Sequence, residues 1–407
     1  MRLARPDRVF QIFLLALTPA AAAQNTLSDA LKQSHWGLDF RQRIEWVDDD
    51  AFDKDAQAST LRTRLNLKTG SWRDLQAFVE FSDVREVGLD NFNAGAGATP
   101  NRDRFPVVAD PEDTRVNQAW LAFRPNSALE LRAGRQRIKL DNDRFVGNVI
   151  WRQNEQTYDG ASLQWDTDCW NLFYSYVNQA NRIFDSELPA GAHDHDTHLV
   201  NLTFSAANGH RFVGYIYDIE DENQPTFSSR TTGLRYEGSA PLGELGPLNW
   251  LAEYAHQVDA GNTAVDFSAD YFHLNLDLGM RSIFAPHVGF ERLEGSRSAG
   301  KSFRTPLATL HAFNGWADVF LATPDQGLDD VYAGFSGNHQ RLEWNVTWHQ
   351  FHTESGGESL GNELDGSLSI STGESTSVLL KAAHFSADAS GFRDTTKFWL
   401  MFSLALP

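Results

Sequence analysis

Apolar and polar residues alternate along most of the chain after Trp36, and a period of two is the signature of strands. Leu38, Phe40, Ile44 and Trp46 share one face, while Asp39, Arg41, Arg43 and Glu45 share the other. Leu61, Leu65 and Leu67 oppose Arg62, Arg64 and Asn66, and Phe272, Leu274, Leu276 and Leu278 oppose His273, Asn275 and Asp277. Leu342, Trp344, Val346 and Trp348 oppose Glu343, Asn345, Thr347 and His349, and Phe398, Leu400, Phe402, Leu404 and Leu406 fall on one side. Each segment runs about ten residues, the length a tilted strand needs to cross a bilayer.

A soluble sandwich also alternates, with its apolar face inward, but it gives no reason for a second regularity. The connectors alternate between short and long. Tight turns are expected near Gly70–Asp74, Arg124–Ser127, Asp166–Asp168, Ala207–Gly209, Gly279–Arg281, Gly337–Asn338 and Thr372–Glu374, with a longer connector at Gly238–Pro247. Long loops are expected at Asp48–Ala58, Arg85–Glu112, Asp141–Thr157, Ala180–Thr197, Asp221–Ser229, Arg292–Leu328 and Ser386–Asp394. Short periplasmic turns and long outer loops give this rhythm in outer-membrane barrels. The reading is all-β: a transmembrane, antiparallel, up-and-down barrel of about eighteen strands with both termini periplasmic. Closure pairs every backbone group in lipid, where an open edge would not, and a barrel of this size encloses a water-filled lumen.

Composition agrees. A helical membrane protein would be far more apolar than a chain of 41% hydrophobic residues and mean hydropathy −0.41. No segment after the N-terminus has roughly 18 unbroken apolar residues. Cys169 is the single cysteine, so no internal disulfide framework exists. Arg2, Arg5 and Arg8, the apolar run Val9–Leu17 and Ala21–Ala23 form the pattern of a secretory signal. Residues 1–23 are therefore expected to be a signal peptide and 24–407 a single barrel domain; the apolar run is too short for a membrane anchor. Asn25–His35 is a short leader, and the destination is the outer membrane of a Gram-negative bacterium.

The most distinctive stretch is Leu129–Arg152. Leu129, Leu131 and Ala133 alternate with Glu130 and Arg132, and after Gly134 the parity flips, so that Arg135, Arg137 and Lys139 alternate with Gln136, Ile138 and Leu140. A bulge at Gly134 would account for the flip, because one extra residue re-aims those that follow. Arg132, Arg135, Arg137 and Lys139 then join Arg41, Arg43, Arg62 and Arg64 on the luminal face. Charge on the lipid face is costly near the midplane, so such groups point inward or sit at an interface. A wall of Arg inside a pore selects anions, and the guanidinium fork suits carboxylates. The competing reading is a structural network in which Glu45, Glu80, Glu130, Asp141 and Asp143 hold these cations; the two readings are compatible.

Gly134–Arg152 reads GRQRIKLDNDRFVGNVIWR and continues QNEQTYDGA through Ala161; Leu61–Gly70 reads LRTRLNLKTG, Val108–Ala119 reads VADPEDTRVNQA and Thr305–Leu321 reads TPLATLHAFNGWADVFL. In these segments the chain resembles the alginate-export-type family of outer-membrane barrels, a similarity running from about Gly37 to Leu406. The resemblance implies an eighteen-stranded barrel with an Arg-lined, anion-selective lumen, passing a polyuronate outward in the alginate exporter itself. It implies Arg62, Arg64, Arg135, Arg137, Arg144 and Arg152 as path-lining residues. Parity supports the first four independently; Arg144 and Arg152 rest on the motif alone. The alternative substrates are small carboxylates or saccharides taken up through a general porin.

Pro306–Leu321 departs from strand character. Leu307, Leu310, Trp316 and Phe320 recur at roughly helical spacing after Thr305-Pro306, which predicts a short helix in a long outer loop, either gating the mouth or packed passively on the rim. His193, Asp194, His195, Asp196 and His198 have ligand chemistry, but in an outer loop they lack the fixed geometry a metal site wants; neither metal nor cofactor is expected. Trp36, Trp46, Trp120, Trp151, Trp165, Trp170, Trp344 and Trp399 read as interface girdle residues. No nucleophile elbow, phosphate loop or dinucleotide fingerprint is present. A barrel enzyme or a purely structural barrel is thus the alternative of another class, and the expectation is a pore without enzyme activity. The expected partners are outer-membrane lipid and lipopolysaccharide, an anionic polysaccharide or small carboxylate, and periplasmic secretion partners; nucleic acid is not expected.

Overall fold

The computed structural model describes residues 26–407, apart from 244, 245, 262, 280–283, 297 and 299; the expected signal peptide lies outside the described residues. The leader holds a helix, α1 (Leu27–Lys32), whose first turn is capped by Thr26 Oγ1 accepting from Asp29 N at 3.2 Å. Eighteen strands follow: β1 (His35–Asp49), β2 (Ala56–Lys68), β3 (Leu75–Asn91), β4 (Asp113–Asn126), β5 (Leu129–Gln136) and β6 (Thr157–Asp166). Next come β7 (Trp170–Asn181), β8 (Ala192–Ala206), β9 (His210–Ile219), β10 (Ser229–Pro241), β11 (Pro247–Asp259) and β12 (Ser268–Leu278). The wall is completed by β13 (Ala285–Leu293), β14 (Leu328–His339), β15 (Leu342–His352), β16 (Ser359–Ser371), β17 (Thr376–Ala387) and β18 (Thr395–Leu406). Neighbours in sequence pair antiparallel, and β1 pairs with β18, Leu38 opposite Leu406, so the sheet closes.

Alternation sets the two faces. Arg41, Arg43, Glu45 and Val47 of β1 are buried, as are Arg62 and Arg64 of β2. Leu234, Leu121 and Leu274 point out and are 69%, 59% and 54% exposed, the surface that lipid covers. Several connectors differ from expectation: β3 runs on to Asn91 and β8 begins at Ala192, inside spans read as loops. The turn read at Gly337–Asn338 falls at Gln340–Arg341, because β14 and β15 pair as far as His339↔Leu342. The long connector shrinks, because β10 and β11 pair as far as Pro241↔Pro247.

The bulge is not at Gly134. β5 keeps unbroken register past Gly134 on both sides, with Gly134 opposite Trp120 and Gly160, and Arg135 opposite Ala119 and Asp159. The extra residues sit in the neighbours, at Asn117 of β4 and Asn178 of β7, where the ladders skip a position. Parity therefore carries Arg132, Gly134 and Gln136 inward, and Arg135 outward. On the outer face Arg135 makes a two-pronged pair with Asp159, at 2.7 and 2.9 Å, close to the loop ends of β5 and β6. Gly134 (φ 117°) is required for a different reason: a Cβ there would lie 2.3 Å from the Ala119 carbonyl oxygen.

Three of the tryptophans read as girdle are inside. Trp120 points inward and stacks on Phe78 at 5.1 Å, Trp399 is fully buried, and Trp151 rides on an inserted loop. Of the others, Trp36, Trp165 and Trp170 are exposed on the outer face. Pro306–Leu321 is not a helix either; only Leu310–Ala312 forms one 3-10 turn, the apolar residues being spaced to fit a cavity rather than a helix face.

Candidate functional site: the occupied lumen

Two outer loops fold inward. The first (137–156) leaves the wall after β5, and the second (294–327) joins β13 to β14. They pair with each other: Gly147 N donates to Leu307 O at 2.9 Å, Thr309 N to Asp143 O at 3.0 Å, and Gln156 Nε2 to Leu307 O at 3.1 Å. Phe145 of the first loop packs against inward Tyr215, Tyr217 and Tyr271 and against Phe303 of the second, at 5.2–6.2 Å between ring centres. Phe320 packs on Phe351, Phe385 and Phe392. Apolar residues in a place that should be wet are thus buried on one another and on aromatic side chains of the wall.

The basic wall receives the first loop. Arg41 donates to Gln153 Oε1 and to the Ile150 carbonyl, both at 2.9 Å, and also to the Arg152 carbonyl. Arg43 bonds the Trp151 carbonyl and the Asp110 carboxylate. Arg64 reaches the Gln153 carbonyl and Glu155, both at 3.4 Å. A loop buried in a lumen carries backbone carbonyls that need donors, and these guanidinium groups supply them. Arg62 differs: it pairs with Asp39, but its buried Nε and Nη1 have no hydrogen-bond partner among the described residues.

All five carboxylates read as structural partners hold a cation. Glu45 pairs with Arg152 at 3.3 Å, Asp141 with Arg211 at 2.8 Å and Asp143 with Lys139 at 3.1 Å. Glu80 pairs with Arg137 at 2.6 Å, and Glu130 with both Arg124 and Arg132. Arg132 and Arg137 keep 24% and 31% of their side chains open to water, and Lys139 keeps 51%.

The two motif-derived arginines join the loops to the far wall. Arg144 Nε meets Glu291 at 2.7 Å and its Nη2 donates to Asn314 Oδ1 at 2.9 Å, while Asn314 Nδ2 and Tyr271 Oη both donate to Glu291 at 2.6 Å. Arg152 Nη2 meets Asp318 at 3.0 Å, Lys397 Nζ meets the same oxygen at 2.8 Å, and His311 Nδ1 meets the other oxygen at 2.7 Å. Lys381 Nζ stands 2.7 Å from His311 Nε2 and 3.6 Å from the centre of the Trp316 ring. An ammonium only donates, so His311 Nε2 accepts and its proton sits on Nδ1, given to Asp318. Burial holds His311 well below its ordinary pKa and hence neutral. Burial opposes ionisation of Asp318, but His311, Lys397 and Arg152 outweigh it and hold its carboxyl well below the usual aspartate range.

Sequence reasoning passed over Glu155, Glu291, Asp318, Lys381 and Lys397. The inward parity of Glu291, Lys381 and Lys397 was available as a signal; Glu155 and Asp318 lie in loops, where no period applies. Inward charge is also divided across the bore. Inward arginines concentrate on β1, β2, β4 and β5, interleaved with Glu45, Glu80, Asp113 and Glu130, whereas Glu237, Glu253, Glu291, Asp330, Glu363 and Asp365 line β10 to β16 with Arg235 among them. The histidine-rich run splits over both faces: His193 and His195 point inward toward Asp221, at 2.7 and 3.9 Å, while Asp194, Asp196 and His198 are exposed. No group of three metal-ligating side chains converges among the described residues.

Solved structures share this architecture. OccK9 (OpdG) of Pseudomonas aeruginosa is similar with a TM-score of 0.71 at 13% identity, covering 93% of this chain and 100% of that one. OpdK of the same organism, solved with vanillate, gives 0.70 at 13% identity, with 92% and 99% covered. OccAB4 of Acinetobacter baumannii gives 0.70 at 12% identity, with 92% and 99% covered. At such identities the likeness speaks for the fold alone. No curated protein matches the sequence. The model of the alginate export family matches residues 32–289, well over half of the chain. The closed eighteen-stranded barrel, its inward basic wall and this match together establish that the chain belongs to the alginate export family, as a porin-type pore of the Gram-negative outer membrane.

Proposed function

We propose that the pore conducts anionic solutes, acidic saccharides and small carboxylates, along the basic wall of β1, β2 and β5. The observation that carries this reading is the set of unused donors there. Among the described residues the buried Arg62 Nε and Nη1 and Arg132 Nε have no hydrogen-bond partner; Arg132 is itself partly open to water, as are Arg137 and Lys139 of the adjoining first loop. A carboxylate offers the acceptors these groups lack, and the acidic wall opposite pushes an anion toward them. The two inserted loops narrow the bore, which favours small units. A second reading, export of a polyuronate, has the family's description in its favour and requires both loops to swing aside.

Planar-bilayer recording in a salt gradient tests the reading. The expected result is an anion-selective reversal potential, block by glucuronate, and a shift toward cations in Arg62→Ala and Arg132→Ala. Cation selectivity in the wild type overturns the anion path. Block by uronate oligomers at lower concentration than by the monomer selects the export reading; block by the monomer alone selects small solutes.

A further inference from the structure

On the outer side the inserted loops leave a cavity of about 520 Å3, a volume that suits a small organic ligand. Phe52, Phe184 and Phe392 give it apolar sides. Arg182 and Arg393 also line it, and neither forms an ion pair among the described residues: Arg182 hydrogen-bonds His193 Nε2 at 3.4 Å, and Arg393 donates to the carbonyls of Ser390 and Phe392 at 2.7 and 2.6 Å. Arg152, Lys397 and Asp318 complete the lining. The two cations come from different elements, the first loop and β18, and one oxygen of Asp318 serves both, at 3.0 and 2.8 Å. Asp318 itself rides on the second loop. A carboxylate supplied by the loop therefore occupies the position that a carboxylate from solution would take.

We propose that this cavity binds a small carboxylate with an apolar ring, and that Asp318 is a resident acid which such a ligand displaces from Arg152 and Lys397. The inference rests on the anion-conducting reading and adds where the solute is first held and what it competes with. Arg182 and Arg393 draw the anion in, the phenylalanines take its ring, and the shared pair takes its carboxylate. A neutral isostere gains only the ring contact. Displacement frees one tether of the second loop. Other tethers persist, among them Trp316 N to Asp365 at 3.1 Å, Ala317 N to Glu363 at 2.7 Å and Asn314 Nδ2 to Glu291 at 2.6 Å, so occupancy loosens the loop without ejecting it.

The test is binding of sodium benzoate to the purified full chain in detergent, followed by tryptophan fluorescence and calorimetry, with benzyl alcohol as the neutral probe. Asp318→Asn keeps the shape and removes the competing charge, so benzoate binds about tenfold tighter while benzyl alcohol is unchanged. Lys397→Met removes a cation and weakens benzoate by about tenfold or more. Asp55→Asn, an exposed acid of the β1–β2 loop, moves benzoate by less than about twofold. Equal or weaker benzoate binding in Asp318→Asn overturns the displacement. Unchanged binding in Lys397→Met overturns the site, and that variant decides alone if Asp318→Asn does not fold. Neither result touches the anion reading, which fails only on cation selectivity in the wild type.

Discussion

Replacing Arg144 by Met removes the charge that ties both inserted loops to the wall. Arg144 and Glu291 are 2% and 3% exposed, 2.7 Å apart, and Asn314 of the second loop bonds both of them. Met fills most of the volume but leaves the Glu291 carboxylate buried without a cation. Breaking a buried pair from one side costs about 3–5 kcal/mol, and each 1.4 kcal/mol is tenfold, so the docked-to-undocked ratio of the loops falls on the order of 10²- to 10³-fold. The wall is spared, because β13 is held by its ladders with β12 and β14. Hydrogen exchange of residues 137–156 and 306–321, read beside single-channel currents, is the assay. Exchange in both segments rises, and conductance rises and becomes noisy. Arg144→Met with Glu291→Leu removes both charges and recovers much of the protection, since an apolar replacement of a whole buried pair is often close to neutral. Unchanged protection and conductance in the single variant would refute the argument, and with it the idea that this pair holds the loops in place.

Two further outcomes follow from particular contacts. Arg135→Leu combined with Asp159→Leu leaves the reversal potential at the wild-type value and changes stability by about 1 kcal/mol or less, because the pair lies on the outer face; a selectivity shift like that of Arg132→Ala would place Arg135 in the lumen after all. The tether of Asp318 to Arg152 and Lys397 is insensitive to mild acid. A carboxyl whose folded pKa is lowered contributes its stabilisation above its ordinary pKa and loses it only as pH falls through the lowered value, while His311, also lowered, stays neutral. That tether therefore contributes no titration of its own between about pH 5 and 8, and a midpoint within that window that Asp318→Asn abolishes, seen in single-channel records, would show that the tether is wrongly assigned.

Much of this architecture was legible in the sequence because it is written in short-range order. Whether a side chain faces lipid or lumen follows from the parity of its neighbours, so Arg41, Arg43, Arg62, Arg64 and Arg132 were placed inward from alternation alone, and the rhythm of turns and loops separated the short connectors at one end of the barrel from the long ones at the other. Even the partner acids were readable, since a charge inside a narrow tube must find an opposite one. The tertiary structure decided the rest. Arg135 faces out because the extra residues lie in β4 and β7 rather than at Gly134, and a bulge is settled by the register of adjacent strands. Trp399 lies inside against Trp151 and His311 of the inserted loops, Trp151 is carried in by the first of them, and Trp120 is turned inward among Phe78 and Arg132 of neighbouring strands. The contacts that hold those loops, Arg144 to Glu291 and Arg152 to Asp318, span 147 and 166 positions. Such separations leave no period for a sequence to display, and only closure of the barrel brings those residues within reach.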